Sequence, residues 1–127
     1  MVKVLLVDDD EDILSVLRIL FKHEGYALET RSSGINLLSI TKEMMPNLII
    51  LDVKLSEYDG RILCTQLKSD EATQHIPIIL FSSMANDEVA FNEYNADDFI
   101  AKPFDVQEMI KIVQHHVLIN SASETLV

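Results

Sequence analysis

Three stretches of this chain, "VKVLLV" at 2–7, "NLIILD" at 47–52 and "IPIILF" at 76–81, are almost unbroken runs of Val, Ile and Leu. A strand with one face in water alternates apolar and polar residues, whereas a strand apolar on both faces needs cover on both, which is the condition of a parallel sheet packed between helices. Two further runs, "YALETR" at 26–31 and "DDFIA" at 97–101, also read as strands.

The segments between them have helical spacing. Ile13, Val16, Leu17 and Leu20 share one face of the first, with Asp9 or Asp10 placed to cap it. The second is expected to begin at Ser32 or Ser33, to carry Leu37, Leu38 and Met44, and to stop at "MMPN". The third follows "YDG", with Asp59 as cap and Ile62, Leu63 and Leu67 facing inward. The fourth, about Asn86 to Glu93, is short and weakly patterned. The last opens with Asp105 and Glu108 in capping-box spacing and sets Val106, Ile110, Val113 and Val117 along one stripe.

Five strands alternating with five helices across short loops predict an α/β chain: a flavodoxin-like (βα)5 three-layer sandwich around a five-stranded parallel sheet of order 2-1-3-4-5. At 127 residues this is one domain, expected over 1–119, with the small, polar "NSASETLV" at 120–127 as a tail or the start of a linker. No stretch approaches 18 uninterrupted apolar residues, and "MVKVLLV" is too short a core for a signal peptide, so a cytoplasmic location is expected. Ten Lys and Arg against 21 Asp and Glu give a formal charge of −11, which opposes a phosphate backbone or an anionic membrane. The single cysteine, Cys64, sits beside Leu63 and Leu67 and reads as a core thiol.

In open parallel sheets the sites form beyond the carboxyl ends of the strands. Here those ends carry Asp8 and Asp9, Asp52, Ser82 and Lys102. Carboxylates about 4 Å apart repel by roughly 4 kcal/mol per pair at an effective dielectric near 20, so three in one crevice call for a positive charge among them. An all-oxygen set without Cys or His suits a hard divalent cation, and Mg²⁺ keeps several waters beside its protein ligands. Asp10, Glu11 and Asp12 read differently, as acids set against a helix dipole.

Four motifs in order, "VLLVDDD", "LIILDVKLSEYDG", "PIILFSS" and "DDFIAKPF", resemble a response-regulator receiver domain of two-component signalling, of the chemotaxis-regulator type and chiefly bacterial, over residues 2 to about 119. The resemblance implies that Asp52 is the phospho-acceptor and that Asp8, Asp9 and Asp52 hold Mg²⁺ together with the backbone carbonyl of Lys54. It implies that Lys102 pairs with the phosphoryl oxygens, that Ser82 hydrogen-bonds to them, and that Phe99 is the aromatic whose rotamer follows Ser82, altering the face of helix 4, strand 5 and helix 5. The Lys102–Pro103 bond is one at which the family often uses a cis peptide. The phosphodonor would be a histidine of a sensor kinase or a histidine phosphotransfer protein, since His23, His75, His115 and His116 form no pattern and the adjacent pair diverges on a helix. The chain would then be no enzyme beyond promoting its own phosphorylation and dephosphorylation, with no direct nucleic-acid partner and with scope for a phosphorylation-dependent dimer.

Departures from the family pattern are Ser56 where proline is usual, expected to loosen the loop after Asp52; Ser83 where a small alanine is common; and Asn95 for a glycine, which a left-handed turn tolerates. Lys54 and Met84 fall at the entrance, where receivers vary. Three other functions compete. A haloacid-dehalogenase-type phosphohydrolase needs an acid two residues after its nucleophile, where this chain has Lys54. A flavin carrier needs a phosphate loop where Asp8 to Asp10 stand. A docking module independent of phosphorylation would not need the intact acid set.

Overall fold

The structure, a computed structural model, describes residues 1–83 and 90–125, with side-chain surroundings through Ile119. In chain order its elements are β1 (Lys3–Val7), α1 (Glu11–His23), β2 (Ala27–Arg31), α2 (Leu37–Met44), β3 (Leu48–Asp52), β4 (Lys54–Leu55), β5 (Tyr58–Asp59), α3 (Gly60–Ser69), β6 (Ile78–Ser82), a 3-10 turn (Phe91–Tyr94), β7 (Asp98–Ala101) and α4 (Val106–Thr125). Five strands pair in parallel in the order β2-β1-β3-β6-β7. That is the expected order 2-1-3-4-5, with the short β4–β5 hairpin standing outside the main sheet.

Strand alternation divides the core into two layers. Leu5, Val7, Ile49, Leu51, Leu80 and Phe99 point to one side and bury Leu37 of α2 and Leu63, Cys64 and Leu67 of α3. Val4, Leu6, Ile50, Ile79 and Phe81 point to the other and bury Leu14, Leu17 and Phe21 of α1 with Met109, Ile110 and Val113 of α4. Each large side chain taken fully from water contributes about 1.5–3 kcal/mol, so covering both faces is what favours nearly continuous apolar runs.

The helices differ from their expected faces in particular positions. In α1 the buried stripe is Leu14, Leu17 and Phe21, with Ile13 and Leu20 at its margins and Val16 50% exposed. The helix is turned so that its largest side chain, Phe21, lies inside and meets Tyr26 edge to face. In α3 Ile62 is 56% exposed and Cys64 takes the inward place, its Sγ donating to the carbonyl of Tyr94 at 3.4 Å. In α4 Met109 joins Ile110 and Val113 inside, while Val106 is 43% exposed.

Caps are as expected at Asp59, which accepts from the Arg61 N–H, and at Asp105, which accepts from the Glu108 N–H. Of the two candidates for α1 the cap is Asp10, which accepts from the N–H groups of Asp12 and Ile13. Helix α2 begins at Leu37 rather than at Ser32 or Ser33, because Ser33 Oγ accepts from the Ile35 N–H in a turn and Asn36 is left-handed with φ 57°. It ends at Met45, also left-handed, before Pro46. The backbone of α4 continues to Thr125, through the residues read as a tail; Ser and Ala there, with no Gly or Pro, allow a helix to go on. Residues 86–89 of the expected fourth helix and Met84 lie outside the described residues, and the stretch ends in the 3-10 turn closed by left-handed Asn95, φ 63°.

Candidate functional site

Strands β1 and β3 are neighbours with Val7 opposite Leu51, so the residues that follow, Asp8 and Asp52, leave the sheet side by side. Asp8 is fully buried, and its Oδ1 accepts from the Asp10 N–H at 2.9 Å. Asp52 is 4% exposed, and its Oδ1 accepts from the Lys54 N–H at 3.3 Å. Asp9 is exposed at the rim. One carboxylate oxygen from each of Asp8, Asp9 and Asp52 lies within 4.8 Å of the others, and among the described residues this is the one cluster of three metal-ligating side chains.

Lys102 reaches into the cluster from the end of β7. Its backbone N–H donates to the carbonyl of Ser82, and the Lys102–Pro103 peptide is cis, as the resemblance implies. Nζ stands 2.8 Å from Asp8 Oδ2 and 3.2 Å from Asp52 Oδ2, and 4.6 Å from the centre of the Phe81 ring. Burial favours a neutral amine, but the carboxylates of Asp8 and Asp52 outweigh it and hold the Lys102 pKa above its ordinary value. Burial first, and then the charge of Asp8, push Asp52 up to about 6, with Lys102 acting in the opposite direction.

One amine cannot balance three carboxylates. With all four ionised the cluster carries a net charge of −2, and Asp8 Oδ2, fully buried, accepts no hydrogen bond of good geometry although Nζ is within ion-pairing distance. A hard divalent cation supplies both the missing charge and the missing partner, so the donor set fits Mg²⁺.

Ser82 is buried at the end of β6, one residue past Phe81, which stands opposite Asp52. It therefore reaches the same sheet edge. Phe99 is 9% exposed and packs in the layer with Leu80. The side chains of Lys54 and Ser83 are exposed. None of the four histidines joins the cluster; His116 Nε2 pairs with Asp98 Oδ2 at 2.8 Å, and the rings of His115 and His116 do not diverge but meet edge to face at 5.1 Å. Cys64 is buried, which pushes its thiol up to about 12.

Two residues matter more than their sequence context suggests. A β-carbon on Gly60 would lie 2.0 Å from the carbonyl oxygen of Asp52, and the Gly60 N–H donates to Val53 O at 2.7 Å, so the start of α3 lies directly against the backbone of the acid. A glycine opening a helix, where its low propensity is a cost, is the signal that could have marked it. The other is Ser56, at φ 41° in the β4–β5 turn, whose Oγ donates to Asp9 Oδ2 at 3.0 Å. The turn is thereby tied to the acid cluster rather than loosened.

Residues 4–114 match the family described as response regulator receiver domain. Among curated proteins the chain is 33% identical over 116 residues to the DNA-binding dual master transcriptional regulator RpaA of Synechocystis, covering 90% of this chain and 48% of that one. The chain thus spans about half the length of the curated relatives it matches. Among solved structures it is similar to the signal receiver domain of a signal transduction histidine kinase from Syntrophus aciditrophicus, 31% identical with a TM-score of 0.84 over 92% of this chain and 90% of that one. A CheY-like response regulator receiver domain protein from Methanospirillum hungatei shares the fold at 22% identity, with a TM-score of 0.88 over 97% and 98%. With nearly its whole length matched, and a cluster of acids and a lysine at the sheet edge, this chain belongs to the response regulator receiver domain family.

Proposed function

We propose that Asp52 is the phospho-acceptor of this receiver and takes the phosphoryl group from a phosphohistidine of a partner, a sensor kinase or a histidine phosphotransfer protein. The observation that carries this reading is the position of Lys102 Nζ, 2.8 and 3.2 Å from the carboxylates of Asp8 and Asp52 in a buried crevice. Asp8, Asp9, Asp52 and the backbone carbonyl of Lys54 would hold Mg²⁺, which would supply positive charge where two anions must approach one another. An Asp52 oxygen attacks phosphorus in line; the P–O bond forms as the P–N bond breaks, and the bonding pair leaves with the imidazole. Lys102 turns from its carboxylate partners to the phosphoryl oxygens and offsets the added charge. The Ser82 hydroxyl donates to the same group, and Phe99, one strand over, adjusts with it. That adjustment passes to the face formed by the 3-10 turn, β7 and α4, and on phosphorylation this face pairs with an effector or with a second copy. The reaction is confined to the chain's own acceptor, in the cytoplasm, with no turnover of a free substrate. No helix among the described residues is long and apolar enough to cross a membrane.

Incubation with acetyl phosphate and Mg²⁺, followed by intact mass measurement, tests the assignment. The parent is expected to gain one phosphoryl mass and Asp52→Asn none. A gain in both would place the acceptor elsewhere.

A further inference from the structure

The three carboxylates are not held alike. Asp8 is fixed by the Asp10 N–H and by Lys102, and Asp52 by the Lys54 N–H and by Lys102. Asp9 is exposed, and among the described residues the hydrogen bond that holds its side chain comes from Ser56 Oγ, 47 positions away in sequence. An exposed carboxylate without such a bond rotates among rotamers, and the cost of ordering it falls on whatever binds it.

Ser56 is itself fixed. Its backbone is left-handed, φ 41°, in a two-residue turn between Leu55 and Tyr58, which stand opposite one another in the hairpin. Leu55 is 1% exposed in the core, so the hairpin is anchored to the layer below. A proline ring, locked near φ −65°, could not adopt this turn and has no hydroxyl to offer. The bond leaves room for a cation as well, because a carboxylate has about four acceptor positions and one O–H occupies one of them.

We propose that Ser56 is a positioning residue for Asp9: its hydroxyl presets the exposed carboxylate toward the crevice and raises the affinity of this chain for Mg²⁺. The proposal rests on the magnesium reading above and assigns to this chain a device that the usual proline lacks.

Mg²⁺ titration by calorimetry separates the two. Ser56→Ala and Ser56→Gly are expected to bind Mg²⁺ about tenfold more weakly than the parent, the low end of the loss when a hydrogen bond to a metal ligand is removed. Ser56→Asn, which tolerates the left-handed backbone and offers an amide N–H, is expected to recover most of the affinity. In an Asp9→Ala background, which has no oxygen to accept from position 56, Ser56→Ala is expected to change nothing further, which a role only in folding would not produce. Glycine at φ 41° is unstrained, so metal-free Ser56→Gly is expected to melt no lower than the parent. Parent-like Mg²⁺ affinity in the Ala and Gly variants, or an equal loss in the Asp9→Ala background, would overturn the role of Ser56 and leave the metal site standing. A parent that takes up no Mg²⁺ would overturn both.

Discussion

Asp52 is a buried carboxylate facing a second one, with a single lysine between them, and in metal-free protein its ionisation works against the fold. Its pKa is about 3.8 in an unfolded chain and is pushed up to about 6 in the folded one, by burial first and by Asp8 second. A carboxyl with a raised folded pKa keeps the native state favoured while it holds its proton, so its contribution is full below about pH 4 and is lost as pH rises through about 6. Without Mg²⁺, the parent is therefore expected to lose stability relative to Asp52→Asn between those limits, and denaturant midpoints measured across that range would show it. Equal pH dependence in the two proteins would remove burial of the charge as the cause. The acids and Lys102 were legible in the sequence because each closes a strand, and the carboxyl ends of parallel strands share one edge. The hydrogen bond from Ser56 to Asp9 was not legible, since it depends on a left-handed turn that a serine does not announce.

Helix α3 starts where strand β3 stops, and one glycine lets them meet. Alanine at position 60 would put a methyl group into the carbonyl of Asp52, and backbone on both sides has little room to give. Gly60→Ala is expected to destabilise the protein by about 3 kcal/mol, the upper part of the range for overpacking, and to slow phosphorylation by shifting Asp52. Urea midpoints and the acetyl phosphate reaction, followed on the same protein, check both halves; a stable variant with normal labelling would show that the contact relaxes freely. The sequence indicates strands well because an apolar run needs no phase. Helical stripes are harder, since α1 and α3 carry apolar residues beyond the buried face, and Val16 and Ile62 fit a 3.6-residue spacing while standing in water. The β4–β5 hairpin has two residues per strand, too few for any period to appear.

Charge acts across the fold as a whole. The chain carries −11, of which the acid cluster concentrates a net −2 at one edge of the sheet even with Lys102 in place, so a divalent cation bound there would act on stability as well as on chemistry. Binding to the native state alone adds RT ln(1 + [L]/Kd), about 1.4 kcal/mol at a tenfold excess over Kd. Mg²⁺ is expected to raise the melting temperature of the parent, and to do so much less for Asp8→Asn; an unchanged melting curve at millimolar Mg²⁺ would count against the site. The three-layer architecture was legible from the three doubly apolar strands, and its strand order from the fold class they imply.

The sheet also acts as a partition. Leu80 and Phe99 belong to the compartment of α2 and α3, while Phe81, between Leu80 and Ser82 in the chain, belongs to that of α1 and α4 and stacks edge to face on Phe104. Two oily chambers that share a wall but no side chain can be refurnished separately.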